Sequence, residues 1–592
     1  MERKDVEARF KWKTQDIFTD DEHWEREFEA VENTYADYDF SAYENKFDDK
    51  QTLLDFFRVV QDFSRRAEKL YLYAHMCKDQ DVRVSKYASY TSQIMSLFAK
   101  VSARTSFAEP QLTALADEII DGYIADPDFA AYEYRLRRAK QSKAHVLSAQ
   151  EEKLLALASD VMGGFHDTFS MLDNANLNLP KATMDGKEVQ MSHGGYGLVM
   201  HAGTREERKE WFEKYYGAYI NLVDAITQTY YGNVKKDMFF AQAKKYGSCM
   251  EMALDNEDVS PVVYENLLAS VEQALPQLHR YVRLRKRALG VDEQHMYDMN
   301  VPLVTDADIK LPFDEAFDLV KKGLAPLGEE YLQLFERARR ESWIDVYETD
   351  GKRNGAYCTS CYDTHPFVLL NYQETTNEVF TIAHEMGHAL HSYKSQAAQP
   401  YEKSGYTIFL AEIASTVNEV LLLKYLYANT QDKNLKKYLL NYYIDTIRAT
   451  LFRQTQFAEF EQKAHAMAES GQPLTKENLC ETYVALNQKY YGDGITHDAQ
   501  IAYEWARIPH FYSSFYVYKY ATGIISAISI VRRILTEGKS AVDDYFRFLS
   551  SGGCTDPITI LKGAGIDLTT QQPFETAMKE FCDTLDEFER LL

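Results

Sequence analysis

The amino-acid sequence predicts a mainly helical fold that contains one small β-sheet. Long amphipathic stretches, such as Lys50–Lys78 and Ala149–Val161, repeat their apolar residues at the helical period. Proline and glycine are rare between residues 21 and 160, so helices can run through this part of the chain with few interruptions. Strand-like patterns are concentrated between Tyr297 and Tyr372, which places the expected sheet in the middle of the chain.

The N-terminal helices continue without a linker as far as the segment Asn174–Met191. The turn pair Asp185-Gly186 predicts a hairpin or an irregular segment there, and helical patterns resume after it. We therefore expect a helical N-terminal lobe in residues 1–200. The second region, residues 201–592, contains the motifs described below.

Three strand-like pieces precede the helix that carries the main motif: Trp343–Tyr347, Ala356–Cys361 and Pro366–Tyr372. An exposed edge strand can hydrogen-bond an extended peptide. The run Phe367–Tyr372 is the candidate for such an edge, with Leu370 and Asn371 as contacts for the peptide. A buried core strand is an equally compatible alternative, because the run is apolar throughout most of its length.

The composition argues against several classes of protein. Hydrophobic residues at 45% and charged residues at 26% are ordinary for a soluble globular chain of 592 residues. A net charge of -24 argues against nucleic acid or an anionic membrane as a partner. No run reaches the apolar length of a membrane span, and Met1–Glu7 lacks the apolar stretch of a secretion signal. Seven scattered cysteines are typical of reduced thiols, so a cytoplasmic location is expected.

The most informative motif is the run from His384 to His388, which reads His-Glu-Met-Gly-His. Two histidines four residues apart lie on one face of a helix, where their ring nitrogens can bind one metal ion. Glu385 can then contact a water held at the open position of that ion, which is the arrangement of zinc peptidases. A core helix with two buried histidines is the alternative, but it leaves Glu385 unexplained.

A catalytic zinc site needs a third protein ligand. The metzincin pattern requires a glycine and then a histidine at two later positions. Those positions hold His391 and Lys394 here, so a third histidine of this kind is excluded. An acid from the following apolar helix remains, and Glu412 is the first that is well placed there. Glu419 lies seven residues later on roughly the same face, where it can accept a hydrogen bond from a ligand histidine. His391 shares nearly the same face as the two motif histidines, so it is kept as a competing ligand or a supporting residue.

The segment Ile508–Gly523 concentrates phenol and imidazole groups that can donate to a developing oxyanion. Tyr516 and Tyr520 are four residues apart and would share one helical face. A stripe of aromatic core residues is the alternative in a chain that contains 42 tyrosines.

These motifs together resemble oligoendopeptidase F, a member of the thimet oligopeptidase and neurolysin group of metallopeptidases. The likeness rests on the motif around His384, on the run Phe409–Glu412, and on the segment that begins Ile508-Pro509-His510. The resemblance implies a mainly helical fold in which two lobes enclose a deep channel. It implies that short, unstructured peptides are cleaved inside that channel by a zinc-bound water that a glutamate activates.

The resemblance also implies a role for each matching residue. One zinc ion per chain is expected on His384, His388 and Glu412, with Glu385 as the general base. His510 and Tyr520 match the histidine and tyrosine that stabilise the transition state in neurolysin-like enzymes. Neighbouring residues Tyr516 and Tyr518 are expected to contact the substrate.

Two other functions stay open. A peptidyl-dipeptidase or carboxypeptidase would use the same zinc chemistry, but it needs a fixed cation for the free carboxylate of its substrate. Only Lys519 stands out as such a cation in the sequence. A peptide-binding protein with an inactive site is the third hypothesis, and the intact set of four metal-site residues argues against it.

Overall fold

The computed structural model describes residues 1–304 and 310–592, and it confirms a mainly helical fold with small sheets. The N-terminal segment contains helices α1 Asp21–Tyr35, α2 Lys50–Gln80, α3 Ser85–Thr105, α4 Ala108–Ala114, α5 Asp117–Ala125 and α6 Glu133–Gln141. It is followed by α7 Ala149–Met171, α8 His193–Ala202, α9 Arg205–Ala243, α10 Cys249–Asp255 and α11 Pro261–Leu289. The middle of the chain contains α12 Phe313–Gly323, α13 Glu329–Arg340, α14 Thr376–Ala398, α15 Tyr401–Ser404 and α16 Ile408–Asn429. The remaining helices are α17 Lys433–Ile447, α18 Arg453–Glu469, α19 Lys476–Tyr491, α20 Tyr518–Glu537, α21 Lys539–Leu549, α22 Pro557–Gly563 and α23 Gln572–Leu591.

The chain forms two compact units, and each unit consists of three separate segments. Unit 1 comprises Met1–Gln150, Asp308–Tyr425 and Ile530–Ile566. Unit 2 comprises Glu151–Ala307, Leu426–Ser529 and Asp567–Leu592. The division of the chain after residue 200 stays a prediction. It is a single boundary along the sequence, whereas the two units are defined by contacts between segments that are distant in sequence. Among the described residues, no helix combines the length and the apolar character needed to cross a membrane.

The predicted hairpin is present in unit 2. Strands β1 (Lys181–Met184) and β2 (Lys187–Gln190) pair in antiparallel register, with Ala182 opposite Val189. Asp185 and Gly186 form the two-residue turn with φ values of 51° and 70°. Positive φ at both positions is what a type I′ turn requires, and Asp-Gly is among its preferred pairs.

The predicted sheet lies in unit 1, but its strand order differs from the expectation. Strands β3 (Ile344–Asp345), β4 (Tyr357–Thr359) and β5 (Phe367–Leu369) are arranged in the order β3-β5-β4. Because β5 pairs with a neighbour on both sides, the prediction that this run forms an exposed edge strand is wrong. All three residues of β5 are buried, as in strands covered on both faces.

Leu370 and Asn371, which follow β5, make internal hydrogen bonds. The Leu370 N–H donates to Asp345 O at 2.8 Å, and its carbonyl accepts from Lys352 Nζ at 2.5 Å. The Asn371 side chain donates to the carbonyls of Arg353 and Gly355 at 2.9 and 2.7 Å. The Leu370 backbone groups and the Asn371 amide nitrogen are therefore engaged in holding the sheet to the turn before it, and only the Asn371 Oδ1 has no partner among the described residues.

Candidate metal centre

Helix α14 carries the motif in its interior. The Thr375 hydroxyl caps the helix by accepting from the Glu378 N–H at 3.3 Å, which satisfies one of the free amides of the first turn. Apolar residues such as Val379 and Ile382 then bury one face of the helix. His384 and His388 lie one turn apart beyond them, on a partly exposed face.

Helix α16 approaches α14 very closely, and Gly387 makes this possible. A Cβ atom at position 387 would lie 2.5 Å from Ser415 Cα and 2.6 Å from Ala414 O. No larger residue fits there without moving one helix. Asn418 fixes the register of the pair, because its amide donates to Ala383 O at 3.0 Å and accepts from Tyr331 OH at 2.9 Å. Sequence reasoning missed Ser415 and Asn418, whose only signal is that they are polar residues in an apolar helix.

The close approach brings three potential ligand atoms together. His384 Nε2 and His388 Nε2 are 3.2 Å apart, and Glu412 Oε2 lies 3.5 and 3.6 Å from them. Ligand atoms bound tetrahedrally to zinc at roughly 2.0–2.2 Å are separated by roughly 3.3–3.6 Å. The donor set and its spacing therefore fit a zinc ion. Among the described residues, no other group of three His, Cys, Asp or Glu side chains converges in this way.

Glu419 orients the first of these histidines. Its Oε1 accepts a hydrogen bond from His384 Nδ1 at 2.6 Å. A proton on Nδ1 leaves the lone pair of Nε2 directed at the ligand group. Burial lowers the pKa of His384, but the hydrogen bond and negative charge of Glu419 outweigh it and raise the pKa to about 9. The carboxylate thus makes the imidazole more basic.

Glu385 is adjacent to this group and is almost fully buried, with 7% of its surface exposed. Burial raises the pKa of the Glu385 carboxyl above its ordinary value, although the positive charges of His384 and His388 oppose the shift. A carboxylate with a raised pKa is better suited to accept a proton from water and to return it.

His391 does not join the ligand group. Its ring stacks on Tyr406 with centroids 3.8 Å apart and packs against Phe548 at 5.1 Å. Burial lowers the pKa of His391 to about 3, so the ring is neutral. The structure places this residue in an aromatic layer of unit 1.

A second cluster of predicted residues lies in unit 2. His510, in the short 3₁₀ segment Pro509–Tyr512, has its Nε2 3.4 Å from Tyr520 OH, and its ring faces Tyr516 at 6.2 Å. Burial lowers the pKa of His510, and the positive charge of Arg453 adds to the shift. The imidazole is therefore neutral near pH 7 and can act as a hydrogen-bond donor.

The turn between His510 and helix α20 is held by two acidic side chains. Ser514 Oγ donates to Asp237 Oδ2 at 2.6 Å, and the Phe515 N–H donates to Glu461 Oε1 at 3.0 Å. These bonds stabilise Phe515 in a left-handed conformation with φ of 57°, which non-glycine residues rarely adopt. The turn sets the position of helix α20 and of its first residues relative to His510.

The remaining predicted residues of this segment face elsewhere. Tyr518 is buried, with 1% of its surface exposed, and its ring packs against Tyr264 at 5.2 Å. The aromatic-core alternative therefore describes Tyr518, whereas Tyr516 and Tyr520 face His510. Lys519 forms an ion pair with Glu257 and so has its charge neutralised.

Comparisons with known proteins agree with this geometry. The family model described as peptidase family M3 matches residues 198–580, and the model described as Oligopeptidase F matches residues 111–178. The chain is 42% identical to "Oligopeptidase PepF" of Bacillus subtilis, over 100% of this chain and 88% of that protein. A crystal structure of a protein from Chlamydophila abortus is 34% identical with a TM-score of 0.93, and each chain is covered completely. The crystal structure of oligoendopeptidase-F from Enterococcus faecium is 33% identical with a TM-score of 0.74, over 98% of this chain and 99% of that chain.

Proposed function

The chain belongs to peptidase family M3, in its oligoendopeptidase F group, and from this premise we propose a zinc-dependent endopeptidase of short, unstructured peptides. Membership of the family confirms the expected enzyme class, a metalloendopeptidase that acts on oligopeptides. The proposal adds the identity of the metal, the roles of individual residues, and cleavage inside a channel that excludes folded proteins. A cytoplasmic location is part of the same proposal.

The spacing of three ligand atoms is the observation that carries the proposal. His384, His388 and Glu412 present two imidazole nitrogens and one carboxylate oxygen at the separations of a tetrahedral zinc site. Three protein ligands leave one position open, which is typical of catalytic rather than structural zinc. The buried Glu385 lies beside that group, where a general base is needed.

Individual residues of the site have separate roles in the proposed hydrolysis. When bound, zinc supplies a Lewis acid that lowers the pKa of a coordinated water to about 7. Glu385 takes up the proton that the attacking water loses and returns it to the amine of the leaving peptide. Glu419 holds His384 in the tautomer that presents Nε2. We assign His510 and Tyr520 as donors to the oxyanion of the tetrahedral intermediate.

Mass spectrometry of the products from one peptide of about ten residues tests this function. The purified protein with one equivalent of zinc should cut the peptide internally, and a chelator should abolish the cleavage until zinc is restored. Stepwise trimming from the C-terminus would favour the peptidyl-dipeptidase or carboxypeptidase alternative. Absence of any product from zinc-loaded protein would refute the proposal.

A further inference from the structure

Unit 2 contains a cavity of about 580 Å³ whose lining includes His510. Its walls come from helices α8, α9 and α18 and from the 3₁₀ segment Ala499–Arg507. Cavities of roughly 300–1,000 Å³ are the size that holds small organic ligands. A space of this size can hold the terminal residues of a short peptide.

The cavity is positively charged in a chain whose net charge is -24. Its described lining includes three arginines and one carboxylate: Arg448, Arg453, Arg507 and Glu504. We call this the arginine pocket. Arg448 is paired with Asp445, an acid outside the lining, at 3.0 Å. The excess charge therefore comes from Arg453 and Arg507, which share the single carboxylate Glu504.

The two guanidinium groups are held rigidly by their surroundings. Arg453 Nη2 and Arg507 Nη2 lie 2.7 and 2.8 Å from the same Glu504 oxygen, and Tyr483 donates to the other oxygen at 2.5 Å. Arg507 also donates from Nε to Tyr216 OH at 3.1 Å. Burial raises the pKa of Glu504, but the charges of Arg453 and Arg507 outweigh it and lower the pKa to about 2, so the carboxylate stays ionised.

Both arginines keep donors for a ligand. Arg453 donates to Glu504 from Nη2, and Arg507 donates to Glu504 from Nη2 and to Tyr216 from Nε, with the Tyr215 hydroxyl as a further partner. Since a guanidinium carries five N–H groups, these contacts leave donors on both side chains. Their side chains are 27% and 20% exposed, and both line the cavity. A planar guanidinium with free N–H groups matches a carboxylate in a bidentate geometry, and the contact is stronger in a partly buried site.

We propose that the arginine pocket binds the free C-terminal carboxylate of the peptide substrate through Arg453 and Arg507. The proposal rests on the proposed function, since it assumes that a peptide lies against His510. The C-terminal carboxylate is an anion that every oligopeptide with a free C-terminus carries, so it can position substrates whatever their sequence. A side-chain carboxylate of Asp or Glu offers the same chemistry and is separated from it by the experiment.

The test compares two peptides that differ only at the C-terminus, one with a free acid and one with an amide. We expect the wild-type protein to cleave the free acid with a kcat/KM about tenfold or more above that of the amide. A second pair, both amidated, carries Glu or Gln near the C-terminus. If the protein prefers the Glu peptide over the Gln peptide but cleaves the free acid and the amide equally well, the assignment to the C-terminal carboxylate is overturned.

Single variants then locate the site. Arg453→Gln and Arg507→Gln should each bring the acid-to-amide ratio close to one, whereas Arg453→Lys should retain part of the preference. Each single variant leaves one arginine for Glu504, so no unpaired buried carboxylate is created. The matched control is Arg280→Gln, which removes an arginine paired with Asp586 and Glu589 outside the cavity.

The acid-to-amide ratio of kcat/KM is measured on one preparation of each variant. A loss of folded protein lowers both values equally and leaves the ratio unchanged. A wild-type ratio near one would overturn the proposal, and so would a ratio that both glutamine variants leave unchanged. In either case the proposed endopeptidase function survives if the peptides are cleaved. If no peptide is cleaved, the proposed function itself fails.

Discussion

The hydrogen bond between Glu419 and His384 should control zinc affinity in a manner that depends on pH. Replacing Glu419 by Gln keeps the size of the side chain but removes the negative charge at 2.6 Å from His384 Nδ1. Loss of such a partner typically weakens metal binding about 10- to 100-fold. Hydrogen bonds to charged groups contribute about 1.5–3 kcal/mol, which corresponds to the same range.

Protons compete with zinc for His384, and this competition sets the best pH for the measurement. Because Glu419 raises the pKa of His384 to about 9, the wild-type imidazole must lose a proton to bind zinc at any pH below that value. In the Glu419→Gln variant the pKa of His384 is no longer raised by a carboxylate, so protons compete less with zinc for this histidine at pH 7. The full difference in affinity should therefore appear near pH 9 and should narrow as the pH falls towards 6.

Competition with a chromophoric chelator at pH 9 and pH 6.5 gives the zinc Kd of both proteins. Glu378→Gln is the control, since Glu378 lies on the same helix outside the ligand group. The reasoning is refuted if Glu419→Gln binds zinc within twofold of wild type at pH 9. A difference that grows as the pH falls would contradict the assigned cause, because a more basic histidine is penalised at low pH.

Three further outcomes are expected. Glu385→Gln should lower kcat about 10²- to 10⁴-fold while zinc content, measured by atomic emission, stays at one per chain, because the amide cannot accept a proton. Gly387→Ala should lower the free energy of unfolding by about 1–3 kcal/mol and weaken zinc binding, since the added Cβ meets Ser415 Cα at 2.5 Å. Its control, Gly217→Ala in helix α9, meets no atom within 4 Å and should not destabilise the protein in a denaturant titration. Tyr520→Phe should reduce kcat about a hundredfold with a smaller change in KM, whereas Tyr518→Phe, a buried residue, should leave both unchanged in steady-state assays.

The candidate metal site could be predicted because its determinants are local. The four-residue spacing of His384 and His388 fixes their positions on one helical face whatever surrounds the helix. Glu412 and Glu419 stand out because acids are unusual in an apolar helix. The features that lock the two helices together, Gly387 against Ser415, depend on contacts between separate elements, and the sequence gives no distance for those.

The sheet illustrates what local pattern cannot decide. The run Phe367–Leu369 is apolar throughout, which suits an edge strand against a core and a central strand equally well. Its position was settled by pairing with Ile344–Asp345 on one side and Tyr357–Thr359 on the other. The same limitation applies to domains, because each compact unit is assembled from three segments that no single boundary can describe.

The choice between an endopeptidase and a C-terminal peptidase turns on where a fixed cation lies. Lys519 was the only candidate in the sequence, yet its partner Glu257 lies 262 residues away, so its neutralisation could not be foreseen. Arg453 and Arg507 escaped notice for the same reason, since Glu504 and the cavity bring them together only in the fold. With these arginines beside His510, the presence of a cation no longer separates the two activities. The two activities differ in the number of residues between the scissile bond and the bound carboxylate. One or two residues would give a carboxypeptidase or a peptidyl-dipeptidase. A longer segment in the pocket would give internal cleavage.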